Sequence, residues 1–245
     1  MRTHNLATLA LAISTAFSAP VLAQDTETTE KKQSALEQIT VTAQKRTQSI
    51  QEVPISVATL SGEKFESLFS GGEDILALAV RVPGLYAESS NGRVAPRFYI
   101  RGLGNTDFDL AASQPVSIIM DEVVMENVVL KSFPLFDVQQ VEVLRGPQGT
   151  LFGRNTTAGI IKFDTVKPTQ DVEGYAKAGF GSYGTMNFEG AVSGGLTDEL
   201  SARLSLLSQE RDDYIDNAAS GQKDALGGYD EKAYRLQLLW EPSAD

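Results

Sequence analysis

A mixed α+β domain followed by the first antiparallel strands of an incomplete transmembrane β-barrel is the architecture this sequence predicts, and three observations predict it. Between residues 50 and 168, apolar runs of strand length are bounded by Gly, Pro, Asn or Asp and interleaved with helical patterns. Beyond Pro168 the texture changes to near-strict alternation of apolar and polar residues. Between the two lies RGPQGTLFGRNTTAG, residues 145–159, where Gly146, Pro147, Gly149, Gly153 and Gly159 shape a backbone path rather than a core element.

At the N-terminus, Arg2 and His4 give a basic start, residues 6–17 an apolar stretch too short to span a bilayer, and Val21-Leu22-Ala23 a small-residue cleavage pattern. Residues 1–23 are therefore expected to be a secretory signal peptide, with a buried N-terminal helix as the alternative. QDTETTEKKQS, from residue 24, has the composition of a solvated linker. In the following LEQITVTAQKR, Ile39, Val41 and Ala43 alternate with Thr40, Thr42 and Gln44, which reads as a short strand. Spacing leaves two uses open: a strand in a flexible arm that adds itself to a partner's sheet edge, or the first strand of the next domain.

Within 50–168, residues 53–60 read as a strand and 61–69 as a short helix. Ser70 with Glu73 makes a capping-box pattern ahead of a second helix over 74–82, ended by Pro83-Gly84. Further strands are expected at 85–88, 98–101, 116–120, 141–144 and 160–163. Arg101 and Arg145 each close a strand beside a glycine, in IRG and LRG; two surface arginines would be the plain explanation.

Alternation then places strands near 173–180, 186–193, 200–207 and 233–240, each apolar on one face. A soluble sandwich shares that period, so connection lengths arbitrate. If the preceding domain is periplasmic, the short turn at 195–199 is periplasmic and the long polar connection at 211–230 is external, as outer-membrane barrels arrange them. The small external bend at 181–184 fits less well. Tyr234 and Trp240 stand where aromatic belts meet the two interfaces.

Composition narrows the function. The chain carries 21 basic and 32 acidic side chains, a formal net charge of −11, so nucleic acid is not expected as a partner. It has no cysteine, and its one histidine, His4, lies in the expected signal peptide. Thiol chemistry, cysteinyl metal sites and histidine proton transfer are excluded from the exported chain, and neither an enzyme nor a cofactor is expected. GFGSYG at 179–184 matches a dinucleotide-binding glycine pattern but is followed by strand alternation where that fold needs a helix. Asp107 with Asp109, and Asp121 with Glu122, are too few ligands for a cation and read as solvated or hydrogen-bonded acids.

Together, the leader, ITVTAQKR, FYIRGLGNT, VEVLRGPQGTLFGRNTTAGIIKF and the alternating strands resemble the N-terminal part of a TonB-dependent outer-membrane receptor. That resemblance implies an α+β plug domain at 50–168, followed by the first antiparallel strands of the β-barrel at 169–245. It makes 24–49 a flexible arm whose Ile39, Thr40, Val41, Thr42 and Ala43 form the TonB box, the segment that pairs with TonB of the inner-membrane energising complex. Arg101 and Arg145 resemble plug arginines that face acidic groups of the barrel wall. The implied function is active uptake of a scarce ligand, an iron-siderophore complex by default, across the bacterial outer membrane, with plug and arm on the periplasmic side.

Two stretches depart from the family pattern. MDEVVMEN at 120–127 replaces a turn glycine with Glu122, and AGIIKFDTVKP at 158–168 loses a glycine and places Lys162 in a strand. Four strands also cannot close a barrel, because unpaired backbone in hydrocarbon costs several kcal/mol per group. The sequence is thus expected to be a portion of a longer protein. The rival reading is a soluble periplasmic binding or adaptor module built on a plug-like domain.

Overall fold

The computed structural model describes residues 39–90, 92–107, 109 and 112–242; the expected signal peptide and the linker up to residue 38 lie outside them. The first elements are β1 (Thr40–Val41) and β2 (Gln48–Ser49), which pair antiparallel. Then come β3 (Ser56–Ser61), α1 (Gly62–Phe69), a 3-10 turn (Ile75–Ala77) and α2 (Leu78–Arg81). β4 (Leu85–Glu88) and β5 (Arg97–Ile100) form a separate hairpin. β6 (Val116–Met120), β7 (Val123–Met125), a second 3-10 turn (Val128–Lys131), β8 (Val138–Arg145), α3 (Gly149–Phe152) and β9 (Gly159–Thr165) complete this part.

A five-stranded sheet in the order β3-β8-β9-β6-β7 organises these elements, with β6 and β9 parallel and the other pairs antiparallel. Because side chains alternate along a strand, the sheet has two differently dressed faces. Val116, Ile118, Val141, Val143, Ile161 and Phe163 point into the main core with Phe65, Ile75, Leu78, Val82, Leu85, Phe98 and Ile100. Ile119, Leu144 and Ile160 point the other way and pack with Val41, Ala43, Val53 and Phe152. The second face therefore carries a smaller core roofed by the β1–β2 hairpin.

The expected capping box does not form. Ser70 sits in right-handed conformation as the C-cap of α1, and Glu73 accepts from the Gly71 N–H (3.0 Å). Asp74 caps instead, accepting from Leu76 N–H (2.9 Å), because a carboxylate directly ahead of the turn reaches its free amides first. The expected second helix is a 3-10 turn run into one short helical segment, and Val82, extended before Pro83, stops it. In the glycine-rich run, Gly149–Phe152 forms a short helix rather than open loop.

The turn that lost its glycine keeps its shape. Asp121 (φ +46°) and Glu122 (φ +69°) both take positive φ between the paired Met120 and Val123, the geometry of a two-residue type I′ hairpin. Asp121 steadies it by accepting from the Thr165 N–H (2.9 Å) and hydroxyl (2.8 Å). This acid is thus held by hydrogen bonds, and among the described residues no group of three metal-ligating side chains occurs.

The wall begins with β10 (Glu173–Phe180), β11 (Met186–Thr197) and β12 (Leu200–Arg211). The connection expected as polar loop contains a small hairpin of β13 (Ile215–Asn217) and β14 (Gln222–Leu226) before β15 (Tyr229–Trp240). The sheet runs β10-β11-β12-β15, every pair antiparallel. Tyr234, Leu236, Leu238 and Trp240 are 82%, 65%, 62% and 67% exposed on one face, whereas Ser201, Arg203, Ser205 and Gln209 are buried on the other. Apolar side chains outward and polar ones inward is the arrangement of a strand sheet whose outer solvent is hydrocarbon.

Gly159, at φ +148°, ties β8 to β9: a Cβ there would stand 2.2 Å from the Leu144 carbonyl oxygen. Gly159→Ala is expected to destabilise the plug by about 1–3 kcal/mol through backbone displacement. The drop in its thermal midpoint, read by calorimetry on the intact protein, checks this.

Candidate functional site

Three places bring chemistry-bearing side chains together: two junctions of domain and wall, and the second face of the five-stranded sheet. At the first junction, Asp137 directly precedes β8 and its side chain is fully buried. Arg203 of β12 grips it with a forked pair of hydrogen bonds, 2.8 Å from Nε and 2.6 Å from Nη2, and the Ser205 hydroxyl donates to the same carboxylate. Arg235 of β15 stands 3.6 Å from Asp137 and donates to the Phe136 and Asp137 carbonyls (2.9 and 3.0 Å). Glu189 of β11 accepts from the Asp137 N–H (3.0 Å) and from the Tyr175 hydroxyl. Burial pushes the Asp137 carboxyl up, but the Arg203 and Ser205 hydrogen bonds outweigh it and hold the group below the usual carboxylate range.

A second junction lies at the far ends of the wall strands. Arg93 reaches Glu231 of β15 with Nε at 2.8 Å and Nη2 at 3.0 Å, and its guanidinium lies 4.3 Å from the Tyr229 ring centroid. Arg211 approaches the same ring at 4.9 Å. Arg93, Arg211 and Tyr229, with Gly71, Gly72, Glu73 and Asp74, line a cleft of about 570 Å³. Its wall residues lie at the strand ends opposite the two-residue turn between β11 and β12.

On the second sheet face, Thr40 and Val41 pair with Ser49 and Gln48, and Val41 and Ala43 are fully buried. The Thr42 N–H donates to Glu142 Oε1 (2.6 Å) and Gln140 Nε2 donates to the Thr40 carbonyl (3.2 Å). Lys162, almost wholly buried, donates to Thr42 Oγ1 (2.8 Å) and to Asp164 (2.5 Å). Residues 39–43 therefore lie docked on the domain, with Ile39 and Thr40 at its exposed margin. A segment predicted as an arm is a hairpin here, because alternation buries Val41 and Ala43 once an apolar roof position is available.

Arg101 and Arg145 are brought near one another. Burial, and then the charge of Arg101, lower the pKa of Arg145. Arg145 donates to Ser56 Oγ (3.0 Å) while its Nε is buried without a hydrogen-bond partner among the described residues. Arg101 is exposed, in left-handed conformation (φ +52°). Neither forms an ion pair with a carboxylate of β10, β11, β12 or β15 among the described residues; Arg93, Arg203 and Arg235 make the junction contacts instead. Arginines at inward positions of neighbouring wall strands demand an anion and could have pointed to the junction, while Glu142, which interrupts the apolar run VEVL, could have pointed to the second sheet face.

Residues 49–160 match the family described as TonB-dependent Receptor Plug Domain. The chain belongs to the TonB-dependent receptors. The pesticin receptor of Yersinia pestis is 33% identical over 165 residues, covering 66% of this chain and 24% of that protein. The iron-regulated outer membrane virulence protein of Vibrio cholerae is 28% identical over 219 residues, 84% of this chain and 31% of that protein. The crystal structure of the ferric yersiniabactin uptake receptor FyuA from Yersinia pestis aligns with a TM-score of 0.68 at 29% identity, covering 77% of this chain and 29% of that one. The chain thus spans between about a quarter and a third of the length of these relatives. The receptor is an outer-membrane protein whose plug faces the periplasm from within the barrel. Two of these three relatives are named as receptors.

Breaking the Asp137 contact should be costly. Asp137→Asn strands Arg203 and Arg235 against a neutral group, and we expect a loss of about 3–5 kcal/mol in the intact receptor at neutral pH. A carboxylate with depressed pKa contributes stability above its ordinary value of 3.8 and loses it as pH falls through the folded value below that. The wild-type advantage over Asp137→Asn in calorimetry should therefore fade as the pH is lowered below 3.8.

Proposed function

We propose that the intact receptor carries out TonB-dependent active uptake of a scarce ligand, an iron-siderophore complex, across the outer membrane. The observation that carries this reading is a plug fastened by buried charges to the polar inner face of a wall whose outer face is apolar. Such a plug obstructs the lumen, so passage requires work on it. In this reading the division is an arm to residue 49, a plug over 50–168 and wall strands from 169, with the leader at 1–23.

Ile39, Thr40, Val41, Thr42 and Ala43 are the TonB box. Docked as they are, Thr40 and Val41 have their strand-pairing groups engaged with β2, so pairing with TonB requires their release. TonB then transmits work drawn from the inner-membrane proton gradient. Arg101 and Arg145, two like charges held together, are assigned to acidic groups of wall strands beyond the four present. The cleft around Arg93, Arg211 and Tyr229 opens at the external strand ends, where ligand arrives. Support for an iron-siderophore ligand comes from the relatives, one named as iron-regulated and one titled a ferric yersiniabactin uptake receptor.

The outward row of Tyr234, Leu236, Leu238 and Trp240 argues against a soluble periplasmic adaptor, because water would be a poor solvent for it. Val41→Pro removes a backbone donor and should abolish energised ferric-siderophore uptake in cells while leaving membrane insertion and surface binding of the ligand intact. Uptake at the wild-type rate in that variant would overturn the assignment.

A further inference from the structure

The second sheet face holds a group of charges that the uptake mechanism as described does not use. Glu142 on β8 and Lys162 and Asp164 on β9 point toward the β1–β2 hairpin, in the middle of a sheet whose neighbouring positions on that face are Leu144, Ile160 and Ile119. Glu142 is fully buried and Lys162 is 1% exposed. Isolated charges in such a place are costly, so their retention calls for a reason.

Their common partner is Thr42. Its hydroxyl accepts from Lys162 Nζ (2.8 Å) and lies 3.2 Å from Glu142 Oε1 and 3.3 Å from Asp164 Oδ2, while its N–H donates to Glu142 Oε1 (2.6 Å). Lys162 also meets Asp164 (2.5 Å) and Glu122 (3.4 Å), so its three donors have three acceptors. Glu122 in turn lies 3.7 Å from Lys45, at the tip of the hairpin. Gln140 braces the arrangement by donating to both Glu142 Oε1 (2.5 Å) and the Thr40 carbonyl (3.2 Å).

The loading is uneven. Glu142 Oε1 takes bonds from Gln140 and Thr42, whereas Oε2 is buried with no partner among the described residues. Docking therefore sets the burial of Val41 and Ala43, together with the charge-assisted bonds, against a carboxylate oxygen deprived of water. Opposed contributions of similar kind leave the segment held but releasable.

We propose that Glu142, Lys162 and Asp164 form a charged latch that clasps Thr42 and controls when the Thr40–Ala43 segment becomes available to a strand-pairing partner. Lys162 is the member that matters most, because it lies between two carboxylates. Without it, Glu142 and Asp164 face each other as like charges across the Thr42 hydroxyl, and the hairpin is driven off. Neutralising Glu142 acts the other way: an amide still accepts from the Thr42 N–H, and no bare carboxylate oxygen remains. The latch deepens the assignment of residues 39–43 as the TonB box and rests on it for the identity of the partner.

Hydrogen exchange on the intact receptor in detergent separates the two ideas. In Lys162→Met, amides of residues 39–50 should exchange at least about ten-fold faster than in the wild type, with β6 still protected. In Glu142→Gln they should exchange no faster than in the wild type. Thr42→Val, which removes the clasped hydroxyl and keeps the branched shape, should also accelerate exchange, and it decides the matter if Lys162→Met also loses protection in β6. Unchanged exchange in Thr42→Val, or in a folded Lys162→Met, overturns the latch. Affinity for the purified C-terminal domain of TonB should rise in the accelerated variants; faster exchange without that rise supports the latch and overturns the TonB-box assignment.

Discussion

The Asp137 carboxylate lies between two wall guanidiniums, and the seating of the plug against the wall depends on that contact. A charge buried alone costs several kcal/mol, so Arg203 and Arg235 need the plug as much as Asp137 needs the wall. The geometry is selective: a fork from Arg203, a hydroxyl from Ser205, the Asp137 amide on Glu189 and Arg235 on the Phe136 and Asp137 carbonyls hold the plug chain at one point on three neighbouring strands. Arg93 on Glu231 repeats the principle at the other end of the strands. A junction made this way can be parted where water reaches it, because each hydrogen bond lost is exchanged for one to water.

The five-stranded sheet extends this logic inward. One face is mostly apolar and packs against the helical turns and the β4–β5 hairpin, which makes it the rigid body that wall contacts can hold. The other face mixes apolar and charged positions and receives the hairpin of residues 39–50. A well-packed apolar roof would hold that hairpin permanently, whereas a roof with buried charges holds it conditionally. Strong attachment on one side and opposed contributions on the other suit the proposed release of one segment from a domain that stays in place.

Much of this was legible in the residues. Strands at 85–88 and 116–120 coincide with β4 and β6, and alternation beyond Pro168 located all four wall strands and their outward faces. Local period and turn residues carry that information. Legibility failed where several local solutions compete. Ser70 and Asp74 both offer a cap, and the one adjacent to the turn prevails. The polar stretch 211–230 contains a hairpin with too little apolar patterning to announce itself. Glu122 occupies a positive-φ site that glycine would take more easily, because Asp121 is tied to Thr165 beside it.

Sequence by itself determined the class, the positions of most strands, the two-residue period of the wall and the lack of any cysteine. It also singled out residues 39–43, Arg101, Arg145 and Lys162. Only the tertiary structure decided what these meet: that Lys162 clasps Thr42 across 120 positions, and that Asp137, which no motif marks, is the carboxylate between Arg203 and Arg235. Electrostatic partners are chosen by proximity in space and by loss of water, and neither is written in the spacing of residues along a chain.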